Sequence, residues 1–313
     1  MQAVVYSIPM RTRFRGIDVR EGMLLRGPAG WGEFSPFLEY PPQVARRWLA
    51  AAREAADDGW PSPLRDRVPV NVTVPAVGPA QAARIVRESG GCRTAKVKVA
   101  EAGQPLSADV DRVAAVRDAI GPAGSVRVDA NGGWSVEEAV SAILALSRFG
   151  LEYVEQPCRS LHEMARVRRR VDVLLAADES VRNAEDPLRV AGLAAADIVV
   201  LKVQPLGGVR AALAVAQTCG LPVVVSSALE TSVGIAAGVA LAAALPELPY
   251  ACGLGTGQLL AGDVVTESLL PVDGALPVRR PAVDPAALLT WQAPPHRARW
   301  WRDRVARAGE QQG

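Results

Sequence analysis

The feature that most constrains this chain is a recurrence. Short apolar strands follow one another about two dozen residues apart, and each ends in a charged side chain. Thr94-Ala95-Lys96-Val97-Lys98-Val99 puts two lysines on one face, because strand side chains alternate. Val126-Arg127-Val128 delivers Asp129 to a turn, Ala130-Asn131-Gly132-Gly133, whose Asn and Gly residues tolerate positive φ. Leu151 to Val154 ends in Glu155, Val173 to Ala177 in Asp178, and Asp197 to Leu201 in Lys202. The C-terminal end of a parallel strand is where α/β folds keep their chemistry. In a closed parallel barrel Lys98, Asp129, Glu155, Asp178 and Lys202 converge on one mouth.

Helical stretches fill the intervals, giving βα repeats from Val68 to about Val265. Strand Val68 to Val74 precedes a helix over Pro79 to Glu88, and the lysine strand a helix from N-cap Ser107 to Ile120. The Asp129 strand precedes a helix from N-cap Ser135, with Glu138 completing a capping box, to Phe149. Later helices fall at Leu161 to Arg170, Asp186 to Ala194, Gly208 to Cys219 and Thr231 to Leu245, with strands Leu221 to Ser227 and Tyr250 to Leu254. Eight strands and seven helices in this order predict a modified TIM barrel, (β/α)7β, over residues 65–265. The rival, a doubly wound sheet, lacks a Gly-rich fingerprint after its first strand.

Before the repeats, Gln2 to Ile8 (stopped by Pro9), Met23 to Arg26 and Gly30 to Phe37 read as strands, and Pro42 to Asp57 as an amphipathic helix. With Pro61-Ser62-Pro63 as linker, residues 1–64 predict a shortened α+β capping domain. Residues 266–313 predict a segment that returns to that cap, with Thr266 to Arg280 adding strands. Its Arg-rich end is expected to pack Trp291, Trp300 and Trp301 with solvated arginines around them.

A formal charge of +2 offers no broad field for nucleic acid or acidic membrane. The four cysteines are scattered without a CxxC, which predicts buried thiols in a reducing cytoplasm. The N-terminus reads as neither signal peptide nor anchor, and only two histidines are available for catalysis.

Three carboxylates at one mouth repel one another unless a cation neutralises them. An all-oxygen set predicts Mg²⁺, with Mn²⁺ as substitute, on Asp129, Glu155 and Asp178. Asn131, Gln156 and Glu179 in the following loops are positioned to orient those ligands. A lysine base must be neutral near pH 7, which neighbouring cations and partial burial favour. Lysine beside Mg²⁺ suits proton abstraction next to a carboxylate, on a small-molecule carboxylate substrate.

KVK at Lys96 to Lys98, DAN at Asp129 to Asn131, EQP at Glu155 to Pro157, DES at Asp178 to Ser180 and the strand-end Lys202 together resemble the enolase superfamily. A lysine base with Mg²⁺ is a general pattern of that superfamily. The two-lysine arrangement resembles the muconate-lactonizing subgroup; a mandelate-racemase-like Asp–His pair is missing. Within the subgroup the short cap and the loops Ser226 to Glu230 and Gly253 to Thr256 are most similar to the o-succinylbenzoate synthase family. Dipeptide epimerases carry an acidic pair on the eighth-strand loop, and Ala251 to Gly257 contains no acid. The resemblance implies dehydration of a cyclohexadiene carboxylate, with Lys98 as base and acid and Lys202 stabilising the enediolate. Lys96, Ser226, Ser227, Gly253 and nearby backbone amides would bind substrate. Alternatives are an N-acylamino acid racemase, a dipeptide epimerase, a cycloisomerase or, more remotely, a non-catalytic metal-binding barrel. A monomer or weak dimer is expected.

Overall fold

The computed structural model describes residues 2–182 and 189–310. Three strands, β1 (Gln2–Phe14), β2 (Ile17–Gly27) and β3 (Gly30–Phe34), form an antiparallel sheet in that order. Then come β4 (Arg67–Pro69), β5 (Val72–Val74), β6 (Thr94–Lys98), β7 (Ser125–Asp129) and β8 (Leu151–Glu155). They are followed by β9 (Leu175–Ala177), β10 (Ile198–Leu201), β11 (Val223–Val225) and β12 (Ala275–Pro277). Strands β5 to β11 form one parallel sheet in chain order, with helices between them. Its two edges meet on the segment 252–253. Cys252 bridges Val70 and Gly253 bridges Ser226, both in parallel sense. Asn71 N–H donates to Cys252 O at 2.9 Å and Gly253 N–H to Val225 O at 2.8 Å. The eighth strand of the barrel is therefore present as a short closing link, and the (β/α)7β expectation agrees with the fold.

The strands are valine-rich because both of their faces are covered. One face packs on the helices; inside the barrel, Tyr153, Ala176, Ile198, Val200 and Val224 form a plug. Arg127 is wholly buried there, its guanidinium 4.6 Å from the Tyr153 ring and donating to Ala251 O at 2.7 Å. The plug fills the barrel below the strand ends that carry the charged row.

Two of the barrel helices start where a serine side chain satisfies their first N–H groups. Both Ser135–Glu138 and Ser160–Glu163 form capping boxes. Ser107 does not cap; that helix runs Leu106–Ile120 from Pro105. The expected helix over Asp186 to Ala194 is seen as Arg189–Gly192, and residues 186–188 lie outside the described residues.

Three other differences have physical reasons. Pro9 does not stop β1, because its backbone faces away from β2, where its carbonyl accepts from Ala261 N–H at 2.8 Å and the ladder needs no N–H from it. Val68 to Val74 divides into β4 and β5, since β4 turns to pair with β12. That pairing also means Ala275–Pro277 extends the barrel side rather than the N-terminal sheet.

The helix Pro42–Arg53 lies against β3 closely enough that a Cβ on Gly32 would stand 1.9 Å from Ala52 O. The last helix, Pro295–Gly309, buries Trp301 with Trp48, Phe34 and Phe37. Its Arg304, 4% exposed, donates to the carbonyls of Phe37 at 2.6 Å and Tyr40 at 2.9 Å. Burial lowers that guanidinium to about 10. Trp291 and Trp300 are half-buried. Among the described residues no helix is long and apolar enough to cross a membrane.

Candidate active site

Register places the charged strand ends in one row. Lys98 stands opposite Asp129, and Asp129 opposite Glu155. Asp178 and Lys202 follow β9 and β10 directly, so the row continues round the mouth. Lys96, two residues below Lys98, shares its face. Asp129, Glu155 and Asp178 are at most 1% exposed, and Lys96, Lys98 and Lys202 at most 9%.

At this burial no carboxylate can stand without a counter-charge. Lys96 donates to both Glu155 oxygens, at 2.9 and 3.0 Å, and lies 3.4 Å from Asp129. Lys98 donates to Asp129 Oδ2 at 2.5 Å and Asn131 Oδ1 at 2.6 Å. Lys202 donates to Asp178 Oδ2 at 2.5 Å. Lys98 and Lys202 thus flank the carboxylate row from opposite ends. Burial pushes the Asp129 carboxyl up, but Lys98 and Lys96 outweigh it and hold it well below its ordinary range. Burial, reinforced by Asp129, pushes Glu155 up to about 7 despite Lys96. The Lys96 ammonium is held above its ordinary value, Glu155 and Asp129 overcoming burial.

The loops after β7 and β8 carry the supporting groups on residues with positive φ, Asn131 at 47° and Gln156 at 40°. Asn131 links Lys98 to Glu179 by donating to Glu179 Oε1 at 3.1 Å. Gln156 accepts from Asp178 N–H at 3.0 Å and donates to Ser180 Oγ at 2.7 Å, fastening the end of β9.

Among the described residues no three acidic, histidine or cysteine side chains already form a metal cage; lysine ammonium groups stand between them. The donor chemistry nonetheless fits a hard divalent cation. Three buried carboxylates supply oxygen only, and two of them face each other across a strand pair, where like charges destabilise.

The opposite wall is made differently. Ser226, Ser227, Ala228, Leu229, Gly253 and Thr256 line the cleft, which encloses about 400 Å³ including its open end. Ser226 Oγ donates to Gly253 O at 3.3 Å, and a Cβ on Gly253 would meet that Oγ at 2.5 Å, so a larger residue would displace the hydroxyl. Ser227 Oγ lies 2.5 Å from Thr256 Oγ1 and accepts from Leu229 N–H at 3.0 Å. Ala228 N–H donates to Glu230 at 2.9 Å. The amides of Ala228 and Leu229 are thus both engaged inside the loop.

The cleft also takes Phe14, Arg15, Phe37 and Thr73, which the motifs do not reveal. Phe14 and Arg15 come from the β1–β2 turn, whose Arg13-Phe14-Arg15-Gly16 pattern marks a loop but not its destination. The Arg15 guanidinium lies 4.3 Å from the Phe37 ring, and the Phe14 ring 5.4 Å from Lys98 Nζ.

Comparison with known proteins decides the family. The chain is 67% identical over 303 residues to an o-succinylbenzoate synthase of Thermobifida fusca strain YX, covering 94% of each chain. It is 57% identical to one from Mycobacterium leprae strain TN, covering 96% of this chain and 89% of that one. Residues 79–282 match the Enolase C-terminal domain-like family, and residues 5–56 the Enolase N-terminal domain-like family. The chain belongs to the o-succinylbenzoate synthases of the enolase superfamily. As such it is an enzyme, a hydro-lyase. Members of the superfamily are metal-dependent, generally on Mg²⁺. The fold is shared with muconate lactonizing enzyme from Pseudomonas fluorescens complexed with muconolactone, with a TM-score of 0.80 and 21% identity, covering 93% of this chain and 98% of that one. It is shared too with the L-Ala-D/L-Glu epimerase of Bacillus subtilis, with a TM-score of 0.77 and 23% identity, covering 90% and 96%.

Proposed function

We infer that this synthase removes water from 2-succinyl-6-hydroxy-2,4-cyclohexadiene-1-carboxylate to give 2-succinylbenzoate, a step of menaquinone biosynthesis. The observation that carries the residue roles is the row of three buried carboxylates with Lys98 and Lys202 at its two ends. Asp129, Glu155 and Asp178 would hold Mg²⁺ or Mn²⁺, which when bound draws off negative charge as the substrate carboxylate becomes electron-rich. Lys98 Nζ takes the proton α to that carboxylate. The C–H electron pair moves onto the carboxylate as an enediolate, then returns to the ring as the C–O bond to the hydroxyl breaks on the same face; Lys98 gives its proton to that hydroxyl, forming water and an aromatic ring. Lys202, on the other side, steadies the developing enediolate as an oriented cation.

Lys96 bridges Glu155 and Asp129 and keeps the cluster near neutrality beside the substrate carboxylate. The hydroxyl-lined wall at Ser226, Ser227, Gly253 and Thr256 receives the succinyl arm, and Arg15 offers its terminal carboxylate a cation. Asn131, Gln156 and Glu179 orient the ligating loops. Residues 1–64 act as the cap, 65–265 as the catalytic barrel and 266–313 as the segment that joins them, in a cytoplasmic monomer or weak dimer.

Loss of cyclohexadiene absorbance with enzyme and Mg²⁺, abolished by chelation and restored by Mg²⁺, tests the reaction; no decay at saturating Mg²⁺ overturns it. Two lysines flanking one site also suit a two-base racemisation, so the same preparation should be assayed for solvent-proton exchange into N-acylamino acids.

A further inference from the structure

The wall at 226–229 is held in a conformation its own sequence does not favour. Leu229 has φ of 68°, in the left-handed region that a leucine rarely adopts. Such strain persists only when surrounding contacts over-determine it. Besides Ser227 Oγ on the Leu229 amide, those contacts come from residues outside the cleft. Arg20, on β2 and 2% exposed, donates through Nε to Leu229 O at 2.7 Å and through Nη2 to Ala228 O at 3.2 Å. Nη2 also donates to Ser35 O. The Glu230 carboxylate, 1% exposed, takes Ala228 N–H with both oxygens at 2.9 Å.

The same guanidinium lies 4.7 Å from the ring of Phe37, which also lines the cleft and packs in one cluster with Ala228 and Leu229. One planar fork therefore holds the loop carbonyls and the Phe37 ring at once, a geometry that a lysine ammonium cannot reproduce. The Arg20 charge acts on the nearby carboxylate of Glu33, 3% exposed, and favours its anion. Glu33 in turn accepts from Tyr6 Oη at 2.6 Å, Thr231 N–H at 3.1 Å and Gly234 N–H at 3.0 Å. It sits at the N-terminus of the helix Ser232–Ala244, where the helix dipole favours an anion.

We propose that Arg20 is a positioning residue that sets the shape of the 226–229 wall and thereby the enzyme's grip on the substituent remote from the reacting carboxylate. The proposal rests on the reading that this wall receives the succinyl arm. Its test does not need turnover. The affinities of 2-succinylbenzoate and of benzoate, which lacks the arm, are measured by calorimetry with saturating Mg²⁺ for the wild type, Arg20→Met and Arg20→Lys. In Arg20→Met the dissociation constant of 2-succinylbenzoate should rise about tenfold while that of benzoate changes less than about twofold. Arg20→Lys keeps the buried charge and should lose part of the preference, which also serves where Arg20→Met fails to fold. Kinetics should show the same pattern, a raised KM with kcat nearly kept. An unchanged ratio of the two affinities in Arg20→Lys and Arg20→Met overturns the proposal, as does an equal loss for both ligands. A wild type that binds 2-succinylbenzoate but turns nothing over would count against the proposed reaction and leave the affinity ratio to decide the role of Arg20.

Discussion

The two sides of the barrel mouth are built by opposite means. From β6 to β10 the site is a row of charged side chains set by strand register, each buried and each answered by another charge in the row. From β11 to residue 256 it is a hydroxyl-lined loop, with its backbone polar groups braced from outside by Arg20 and Glu230. The first side is defined by residue identity, and on the proposed function it should tolerate little substitution. The second carries it in shape, and its shape is supplied by another part of the chain. On the proposed function chemistry and selectivity are thus separated, and substitutions on the two sides should fail differently.

The largest effect is expected on the charged side. Asp178→Ala should lower turnover by at least about 10³, since a bound divalent ion contributes several kcal/mol at the reacting oxygen. Calorimetric Mg²⁺ titration should show the matching loss of metal affinity; full activity with unchanged affinity would remove Asp178 from the metal site. Next, Lys98→Ala should cost about 10²–10⁴ and abolish exchange of the substrate α-proton with solvent. Lys202→Ala should cost about 10²–10³. Lys202→Arg keeps a cation that cannot serve as base and should retain partial activity. A fully active Lys98→Ala would overturn the assignment of the base.

On the braced side the effects should be on stability and KM. Burial, with Glu33 next, pushes Glu230 up to about 7 from an ordinary 4.5. The folded protein therefore binds this proton more tightly than the unfolded chain does. That contribution is fully present below about pH 4.5 and is lost as pH rises through about 7, on the order of 3 kcal/mol. Glu230→Gln removes it, so denaturant unfolding should show the variant gaining stability relative to wild type between pH 5 and pH 8. A pH-independent difference would show that Glu230 does not titrate in this window. The smallest effect is expected at the cap loop. Arg15→Gln should raise KM by about fivefold to tenfold, with kcat nearly kept, because an exposed cation contributes modestly. A fall in kcat alone would move Arg15 from binding to chemistry.

The same contrast explains what the sequence reveals. Lys98, Asp129 and Glu155 are legible because strand periodicity fixes their face and repeat spacing fixes their ends. The capping box at Ser135 is legible because it is local. Arg20 and Phe14 are not, since their importance depends on contacts with residues such as Leu229, 209 positions from Arg20. Ser107 misleads because Pro105 already starts that helix, and Pro9 because an edge strand has no need of its missing N–H. The closing link at 252–253 reads as a full strand, because Gly253 and Cys252 carry only single bridges that no periodicity encodes.

The contact of Arg304 with the Phe37–Tyr40 turn sets an order of events during synthesis. Phe37 emerges from the ribosome 267 residues before the side chain that takes up its carbonyl. At about 5–20 residues per second that interval lasts on the order of tens of seconds. Through that time the barrel can assemble behind the first sheet, but the turn bearing Phe37 has no partner for its carbonyls from the final helix. The cap side of the mouth thus matures last, although its strands are made first. A nascent chain stalled before the last helix would carry every lysine and carboxylate of the row and still lack a finished cleft.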